Sequence, residues 1–396
     1  MIDFGLMPIA NGFLSPENVE GEDWFPLAVV VCSRCTMVQL RDVIPPERLF
    51  PADYVFHSST SAGMASHFEE FAHALLREVS GRNDAFIVEI GSNDGILLRH
   101  VAAAGIRHVG VEPAGRVADV ARSRGVNTES RFFDSAVAAE LRAEHGAAHV
   151  IVSANVICHI AAIHEVAAGV AHLLHPEGIF VFEDPYLGDI LELASFDQMY
   201  DEHVFYFSLA SVQYLFAQYG LEVVDVMRQR VHGGSMRYFL AHAGSRAASD
   251  RVAEMRAREE ELKLGSAATY DTFRARVAAK REALRSLLER LRSEGRRVVG
   301  YAATSKSTTT IVYCGLTQEH LEFICDTTPA KQGKVSPGAH IPVRPHQAFV
   351  ADYPDYAVLF AWNHLTEVLA KEQDFTQGGG RFIAYVPEVR TLDATS

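Results

Sequence analysis

Tyr200-Asp201-Glu202-His203 places a phenol, two carboxyls and an imidazole within four consecutive positions. An imidazole takes a proton near neutral pH, and a neighbouring phenol can hydrogen-bond or protonate an enolate oxygen. Such a set is suited to removing a proton from an acidified C–H, with Glu202 orienting His203 or raising its basicity. The competing reading is a polar surface loop whose histidine is solvated. His159 lies four residues after Asn155 and reads on spacing as the first residue of a helix more readily than as a catalyst. Tyr54, on an irregular polar stretch, reads locally as a packing aromatic. Ser305-Lys306, in a loop of small residues, could hold a phosphate with backbone amides and an ammonium, although the pattern is not that of a nucleotide triphosphatase loop. Lys331 and Arg344 are further basic candidates, with simple solvation as the alternative for each.

The elements that must position these groups begin with Phe86-Ile-Val-Glu-Ile-Gly-Ser-Asn-Asp-Gly95, a buried strand running into a loop with two glycines and a helix from Ile96 to Ala104. A second apolar strand, His108 to Val111, ends on Glu112. A glycine turn lets the backbone approach a ligand, and a carboxylate closing the next strand can accept from a ribose. The loop lacks the G-x-G-x-x-G spacing of a dinucleotide site. Its E-x-G-x-x-x-G form, with Glu89, Gly91, Asn93, Gly95 and a ribose-binding Glu112, resembles the S-adenosylmethionine site of Rossmann-like methyltransferases; a glycine turn that merely joins strand to helix is the alternative. The strand Val150 to Ser153 ends at Asn155, where such enzymes face cofactor and substrate.

Alternation of strands and helices continues through Ile179 to Glu183 and predicts a parallel sheet with helices on both faces. The helix Ile163 to Leu174 is expected to stop at His175-Pro-Glu-Gly178. Strands Leu221 to Arg228 and Met236 to His242, joined through His232-Gly-Gly-Ser235, resemble the antiparallel edge of class I methyltransferases. Arg246 to Glu294 is charged and reads as two linking helices broken near Gly265. A second alternation follows, with strands from Val298, Leu321, Ala357 and Arg381. Before all of this, residues 1–56 are rich in turns, with one clear strand at Leu27 to Val31 and another at Thr36 to Leu40. Between them Cys32-Ser-Arg-Cys35 forms half of a tetrahedral zinc site. The second pair of ligands is missing, and a start lying upstream of Met1 would account for it; two free thiols are the alternative reading. A redox role wants a helix N-terminus after the first cysteine, and a strand stands there instead.

Lys+Arg 36 against Asp+Glu 50 gives a formal charge of −14, which opposes binding to a nucleic-acid backbone. No apolar run approaches a membrane span, and no secretory leader is recognisable. Five scattered cysteines exclude a disulfide framework and predict a reducing, cytoplasmic setting.

Six ordered motifs together carry a resemblance: Asp3-Phe-Gly-Leu-Met-Pro-Ile-Ala-Asn-Gly-Phe13, Cys32-x-x-Cys35, Glu89 to Gly95, Tyr200-x-Glu202-His203, His232-Gly-Gly-Ser235, and Cys325-Asp-Thr-Thr328 with Lys331-Gln-Gly333. Over essentially the whole chain they look like the sugar C-methyltransferases of deoxysugar and antibiotic biosynthesis. Those enzymes methylate a carbon beside the ketone of a nucleotide-linked 4-keto-6-deoxyhexose. The resemblance implies a small zinc-binding N-terminal domain, a middle S-adenosylmethionine domain, and a C-terminal Rossmann-like domain, with the nucleotide-sugar in the cleft between them. It implies Tyr54, His159, Tyr200, Glu202 and His203 as the active-site set. Gly91, Asn93, Gly95 and Glu112, with Glu89 and Asn155, fall on the cofactor. His232, Ser235, Ser305, Lys306 and Lys331 fall toward the substrate, and Cys32 and Cys35 match the second zinc pair.

The expectation is therefore an α/β protein: a partial zinc module over 1–56, a methyltransferase domain over 57–245, linking helices over 246–294 and a second Rossmann-like domain over 295–396. Its reaction is C-methylation at C3 or C5 through an enolate, with structural zinc in question. A small-molecule nucleotide-sugar is the expected partner, with no nucleic acid or membrane, on a monomer or weak homo-oligomer. O- or N-methylation of a small metabolite, or non-catalytic nucleotide-sugar binding, are the alternatives.

Overall fold

The computed structural model describes residues 1–49 and 62–393. Three sheets organise the described chain. The first begins with the antiparallel strands β1 (Ile2–Pro8), β2 (Trp24–Val31) and β3 (Val38–Leu40). β1 was not apparent from residue pattern, because its pairing with β2 shifts register between Asp3 and Leu6. Gly5 sits in that irregularity at φ +80° and donates its amide to the Asp3 carboxylate, so strict period-two alternation is broken.

The central sheet uses β4 (Phe86–Ile90), β5 (Arg107–Val111), β6 (Thr128–Glu129), β7 (Ala148–Ala154) and β8 (Leu174–Pro185) in parallel. After the short β9 (Phe205–Tyr206), β10 (Leu221–Gln229) and β11 (Ser235–His242) complete its antiparallel edge, giving the order β10-β11-β8-β7-β4-β5-β6. The five parallel strands read as apolar runs because both faces are covered. Phe86, Val88 and Ile90 of β4 join Ile151, Phe180 and Phe182 in one apolar layer. Ile87 joins Val150, Val152, Ile179 and Val181 in the other, which the helix Ala62–Glu78 covers with Phe68, Phe71, Ala72 and Leu75. The helix from Ile163 ends before His175-Pro-Glu-Gly178 as expected, but that segment is strand rather than a turn. The helix Ile163–Leu173 stops just before it, and β8 already begins at Leu174, paired to Ala148.

β9 leaves the central unit and pairs with β3, Val38 opposite Tyr206, so the N-terminal sheet has the order β1-β2-β3-β9. The helices Asp250–Leu262 and Ala267–Ser293 follow the central sheet. The longer one buries Tyr270, Phe273, Val277, Leu284, Leu288 and Leu291, a helical stripe that explains why its charged composition still packs.

The third sheet contains β12 (Val298–Tyr301), β13 (Ile324–Asp326), β14 (Val343–Pro345), β15 (Tyr356–Leu359), β16 (Arg381–Ala384) and β17 (Arg390–Leu392), in the order β14-β13-β12-β15-β16-β17. Only β17 is antiparallel to its neighbour. β14 and β17 are too short to show a residue pattern of their own. One apolar cluster runs from Ile2, Phe4 and Val29 through Leu187, Ile190 and Phe196 to Ile311 and Val358. It joins the N-terminal sheet and the segment leaving β8 to the C-terminal sheet.

Candidate active site

The segment between the helix Leu187–Leu193 and β9 is fixed from several sides. Asp201 accepts the Ala10 amide on both oxygens, at 3.3 and 3.2 Å. The Gln198 carbonyl accepts from His203 Nδ1 at 2.9 Å, and His203 Nε2 meets the Tyr200 hydroxyl at 2.7 Å. A carbonyl can only accept, so Nδ1 carries the proton and Nε2 presents its lone pair to the phenol. Tyr200, Glu202 and His203 are all buried, at 8%, 5% and 6% exposure, which removes the surface-loop reading. Burial, with the neighbouring His159 and Lys306, holds the His203 imidazole well below its ordinary pKa. It is therefore neutral at pH 7, the state a base requires.

His159 stands edge-on to His203 with ring centroids 5.1 Å apart. It closes the turn Ile157–His159 directly after β7, and burial pushes its pKa down to about 4. Glu202 makes no hydrogen bond to His203, so direct orientation of the imidazole by this carboxylate, expected above, is not what the structure shows. Its environment is set instead by burial and the Asp201 charge, which raise its pKa to about 8 against the opposing pull of Lys331 and Lys306. Tyr54 lies outside the described residues.

The loop after β4 forms a second constellation. Gly91, at φ +72°, donates to the Val111 carbonyl at 2.8 Å, and a Cβ there would stand 2.4 Å from a Val156 methyl. No side chain fits. Gly95, at φ +77°, is similarly closed in by Val126. Glu112 accepts the Asn93 amide at 3.0 Å and the Ala114 amide at 2.9 Å, one on each carboxylate oxygen. Asn155, at φ +55°, is set by its amide on the Glu183 carbonyl at 2.7 Å. Glu89 is buried with one oxygen lacking a partner among the described residues, and burial together with the charges of Glu112 and Asp94 raises its pKa well above the usual range. Carboxyls crowded in this way favour a ligand that brings positive charge.

Facing the His203 loop is the start of the third sheet. The helix Ser305–Cys314 opens with a capping box between Thr304 and Ser307, and Ser305 is its first residue. Lys306 approaches the cleft from this first turn; burial lowers its pKa, with Asp197 and Glu202 acting the other way. Lys331 donates to the Ala303 carbonyl at 2.8 Å and lies 4.6 Å over the Phe13 ring. His232 comes from the central unit, at φ +53°, its pKa pushed down to about 3 by burial and then by Lys306. Ser235 is fully buried, and its hydroxyl donates to the Val231 carbonyl at 3.3 Å, so it holds the turn rather than lining the cleft. Arg344 stacks on Phe323.

His159, Tyr200, Glu202, His203, His232, Lys306 and Lys331 thus share one electrostatic neighbourhood between the central and C-terminal sheets. Sequence reasoning passed over Asp197, Trp362 and Tyr385. Trp362 Nε1 and the Tyr385 hydroxyl both donate to Asp197 Oδ2, each at 2.7 Å. No local signal joins residues so far apart in the chain, although Asp197 lies in the polar, aromatic stretch already singled out.

Cys32 and Cys35 lie on the turn between β2 and β3, and the Cys32 thiol is held below its ordinary pKa by backbone amides of Cys35 and Arg34. That is a knuckle suited to a metal, but a closed tetrahedral site takes four donors. The groups of three or more metal-ligating side chains among the described residues do not include this pair. The residues present therefore do not fit a complete zinc site.

Comparison with known proteins gives the family. A model described as the C-methyltransferase C-terminal domain matches residues 230–387, a methyltransferase domain matches 64–226, and a proposed zinc binding domain matches 1–50. The chain is 38% identical to the C-methyltransferase NovU of Streptomyces niveus, over 100% of its own length and 94% of that protein's. This chain belongs to the C-methyltransferase family. Like the family, it is an S-adenosylmethionine-dependent methyltransferase with an α/β fold. Among solved structures, the magnesium protoporphyrin IX methyltransferase of Synechocystis PCC 6803 with bound S-adenosylmethionine has a TM-score of 0.35 and 10% identity, covering 50% of this chain and 90% of that one. The CcbJ methyltransferase of Streptomyces caelestis gives 0.34 and 14%, covering 45% and 90%.

The cradle after β4 fits the methyl donor. Gly91 and Gly95 supply the positive φ that turns the loop over the strand tip, Glu112 retains lone pairs for ribose hydroxyls, and the unpartnered oxygen of Glu89 suits a cationic ligand. Among the described residues no helix is long and apolar enough to cross a membrane.

Proposed function

We propose that this C-methyltransferase acts on a nucleotide-linked 4-keto-6-deoxyhexose, at the C3 or C5 carbon beside the ketone. The observation that carries the reading is the Tyr200–His203 pair, at 2.7 Å, with the imidazole tautomer fixed by Gln198 and both rings withdrawn from water. A ketone acidifies the adjacent C–H, and a neutral buried imidazole is poised to take that proton on Nε2. The C–H electron pair moves into the enolate, and the Tyr200 hydroxyl, released from Nε2, turns to the enolate oxygen. S-Adenosylmethionine supplies an electrophilic methyl on a sulfonium, which is already a good leaving group. The remaining work of the protein is to hold the acceptor carbon in line with that methyl and to keep water out.

Glu202, protonated at neutral pH, donates to a sugar hydroxyl or carbonyl in this reading, and His159 closes the far side of the pocket. Lys306, at the start of its helix, and Lys331 face the diphosphate, while the nucleoside extends along the third sheet. Five free cysteines suit a reducing cytoplasmic setting for the reaction.

The test is turnover of a panel of dTDP-4-keto-6-deoxysugars, with NMR of the product. A new C–CH3 at C3 or C5 is expected, together with deuterium wash-in at that carbon in the absence of methyl donor. His203→Asn and Tyr200→Phe should lower methyl transfer by orders of magnitude while S-adenosylmethionine binding stays near normal. Wild-type turnover in His203→Asn removes the assigned base, and an O–CH3 product without wash-in indicates O-methylation.

A further inference from the structure

Thr308, Thr309 and Thr310 are consecutive, almost fully buried, and each bonds a different part of the chain. Thr308 donates to the Ala10 carbonyl at 2.7 Å, in the N-terminal loop whose amide is held by Asp201. Thr309 donates to the Met199 carbonyl at 3.2 Å, immediately before Tyr200. Thr310 donates to the Tyr385 hydroxyl at 3.3 Å, and Tyr385 donates onward to Asp197 at 2.7 Å. Asp197 also takes the Trp362 indole N–H. The Trp362 ring lies where a Cβ on Gly233 would be, 2.2 Å from its nearest carbon, so it also fixes the turn bearing His232. Asp197 and Gln198 share the single turn Phe196–Gln198, and the Gln198 carbonyl sets which His203 nitrogen carries the proton.

We infer that Asp197, Tyr385 and the threonines of the helix Ser305–Cys314 are positioning residues that make the orientation of His203 depend on how the C-terminal sheet is seated. The inference rests on the reading of His203 as the base. The helix carrying Lys306 in its first turn is thereby stitched, through Thr308 and Thr309, to the Ala10 loop and to the backbone immediately before the catalytic pair. The second oxygen of Asp197 is buried without a hydrogen bond among the described residues, in the field of Lys306. An anion taken up by Lys306 is therefore felt by the carboxylate that anchors the base. Base and substrate-facing wall move as one unit, so a C-terminal sheet displaced from the cleft leaves His203 with neither a fixed tautomer nor a dry surrounding.

At buried sites, Tyr385→Phe deletes the hydroxyl's two hydrogen bonds, to Asp197 and from Thr310, and Thr309→Val deletes the one to Met199. In the full-length double variant kcat should fall about tenfold, as expected for slight misplacement of a reacting group. KM for a dTDP-4-keto-sugar and the Kd for S-adenosylmethionine should stay within about twofold, because both hydroxyls are engaged by protein groups rather than assigned to either ligand. The acid limb of kcat/KM should also move up in pH. His203 is faced by His159 and Cys158 from the turn after β7, by Tyr200 and Tyr206 from its own segment, by His232 from the central sheet and by Lys306 from the helix. Water admitted among them would let the imidazole recover proton affinity. A general loss of folding lowers activity without moving that limb, so thermal melts accompany the kinetics. Wild-type kcat with an unmoved limb overturns the inference, as does a fall in kcat that only tracks the folded fraction. Turnover by His203→Asn would instead remove the reading beneath it, which separates the two failures.

Discussion

Asp326 repeats in the C-terminal sheet the bonding that Glu112 makes in the central one. Each is the acidic residue at the tip of the second parallel strand. Glu112 accepts amides from Asn93, in the loop after β4, and from Ala114, two residues on; Asp326 accepts from Ala303, in the loop after β12, and from Thr328, at 2.7 Å each. The preceding loop residues also correspond. Gly91 donates to the carbonyl before Glu112 and Ala302 to the carbonyl before Asp326, at φ +72° and +73°.

This pairing predicts separable losses. Glu112→Ala should weaken S-adenosylmethionine binding by roughly 10- to 100-fold and leave KM for the nucleotide-sugar little changed, since buried amides lose a charged acceptor. Asp326→Ala should do the converse. Calorimetric titration of the donor alongside sugar-dependent kinetics checks both, and equal effects of each substitution on both ligands would contradict the division.

Glu202 is expected to set an alkaline limit. Its carboxyl stays protonated to about pH 8 through burial and the Asp201 charge, so it is a hydrogen-bond donor at neutral pH and loses that capacity above about 8. Wild-type kcat/KM should therefore decline above that pH, whereas Glu202→Gln, which cannot ionise, should hold its rate further into the alkaline range. The acid limb, belonging to His203, should lie below the ordinary histidine range because the folded imidazole resists protonation. A pH series on both proteins tests the pair of limits.

Much of this was legible before any coordinates. Phe86 to Gly95 announced a buried strand and a close-approach turn because both faces of a parallel strand are apolar and φ above zero favours glycine. Residue type alone singled out the Tyr200–His203 segment, and the structure buries its phenol and imidazole against one another. The role of Asp197 was not legible, since its partners Trp362 and Tyr385 are set beside it only by the docking of two sheets. Ala302 was also hidden: it adopts the backbone of Gly91 without being glycine, so the second cradle lacks the glycine signal of the first.

A buried ion pair supports the helix over the central sheet. Arg237 makes two hydrogen bonds to Glu183, at 2.9 and 2.7 Å, and lies 3.5 Å over the Phe71 ring, while His67 meets the other Glu183 oxygen at 2.7 Å. Arg237→Met should cost about 3–5 kcal/mol, because it leaves a fully buried carboxylate without its guanidinium and with His67 as its remaining partner. Arg237→Met with Glu183→Leu should recover much of that loss in urea denaturation; a double variant as unstable as the sum of both singles would argue against a charge penalty.

The pairing of β9 with β3 bears on how these enzymes could be recombined. Three strands of the first sheet come from the beginning of the chain, and the fourth comes from the segment that has just supplied Tyr200 and His203. A chimera joined between the first and second matched regions would give one parent's hairpin an edge strand from the other. The interchangeable unit is therefore not the N-terminal sheet as read along the chain, but that sheet together with residues 196–206, and acceptor preference should travel with the whole unit.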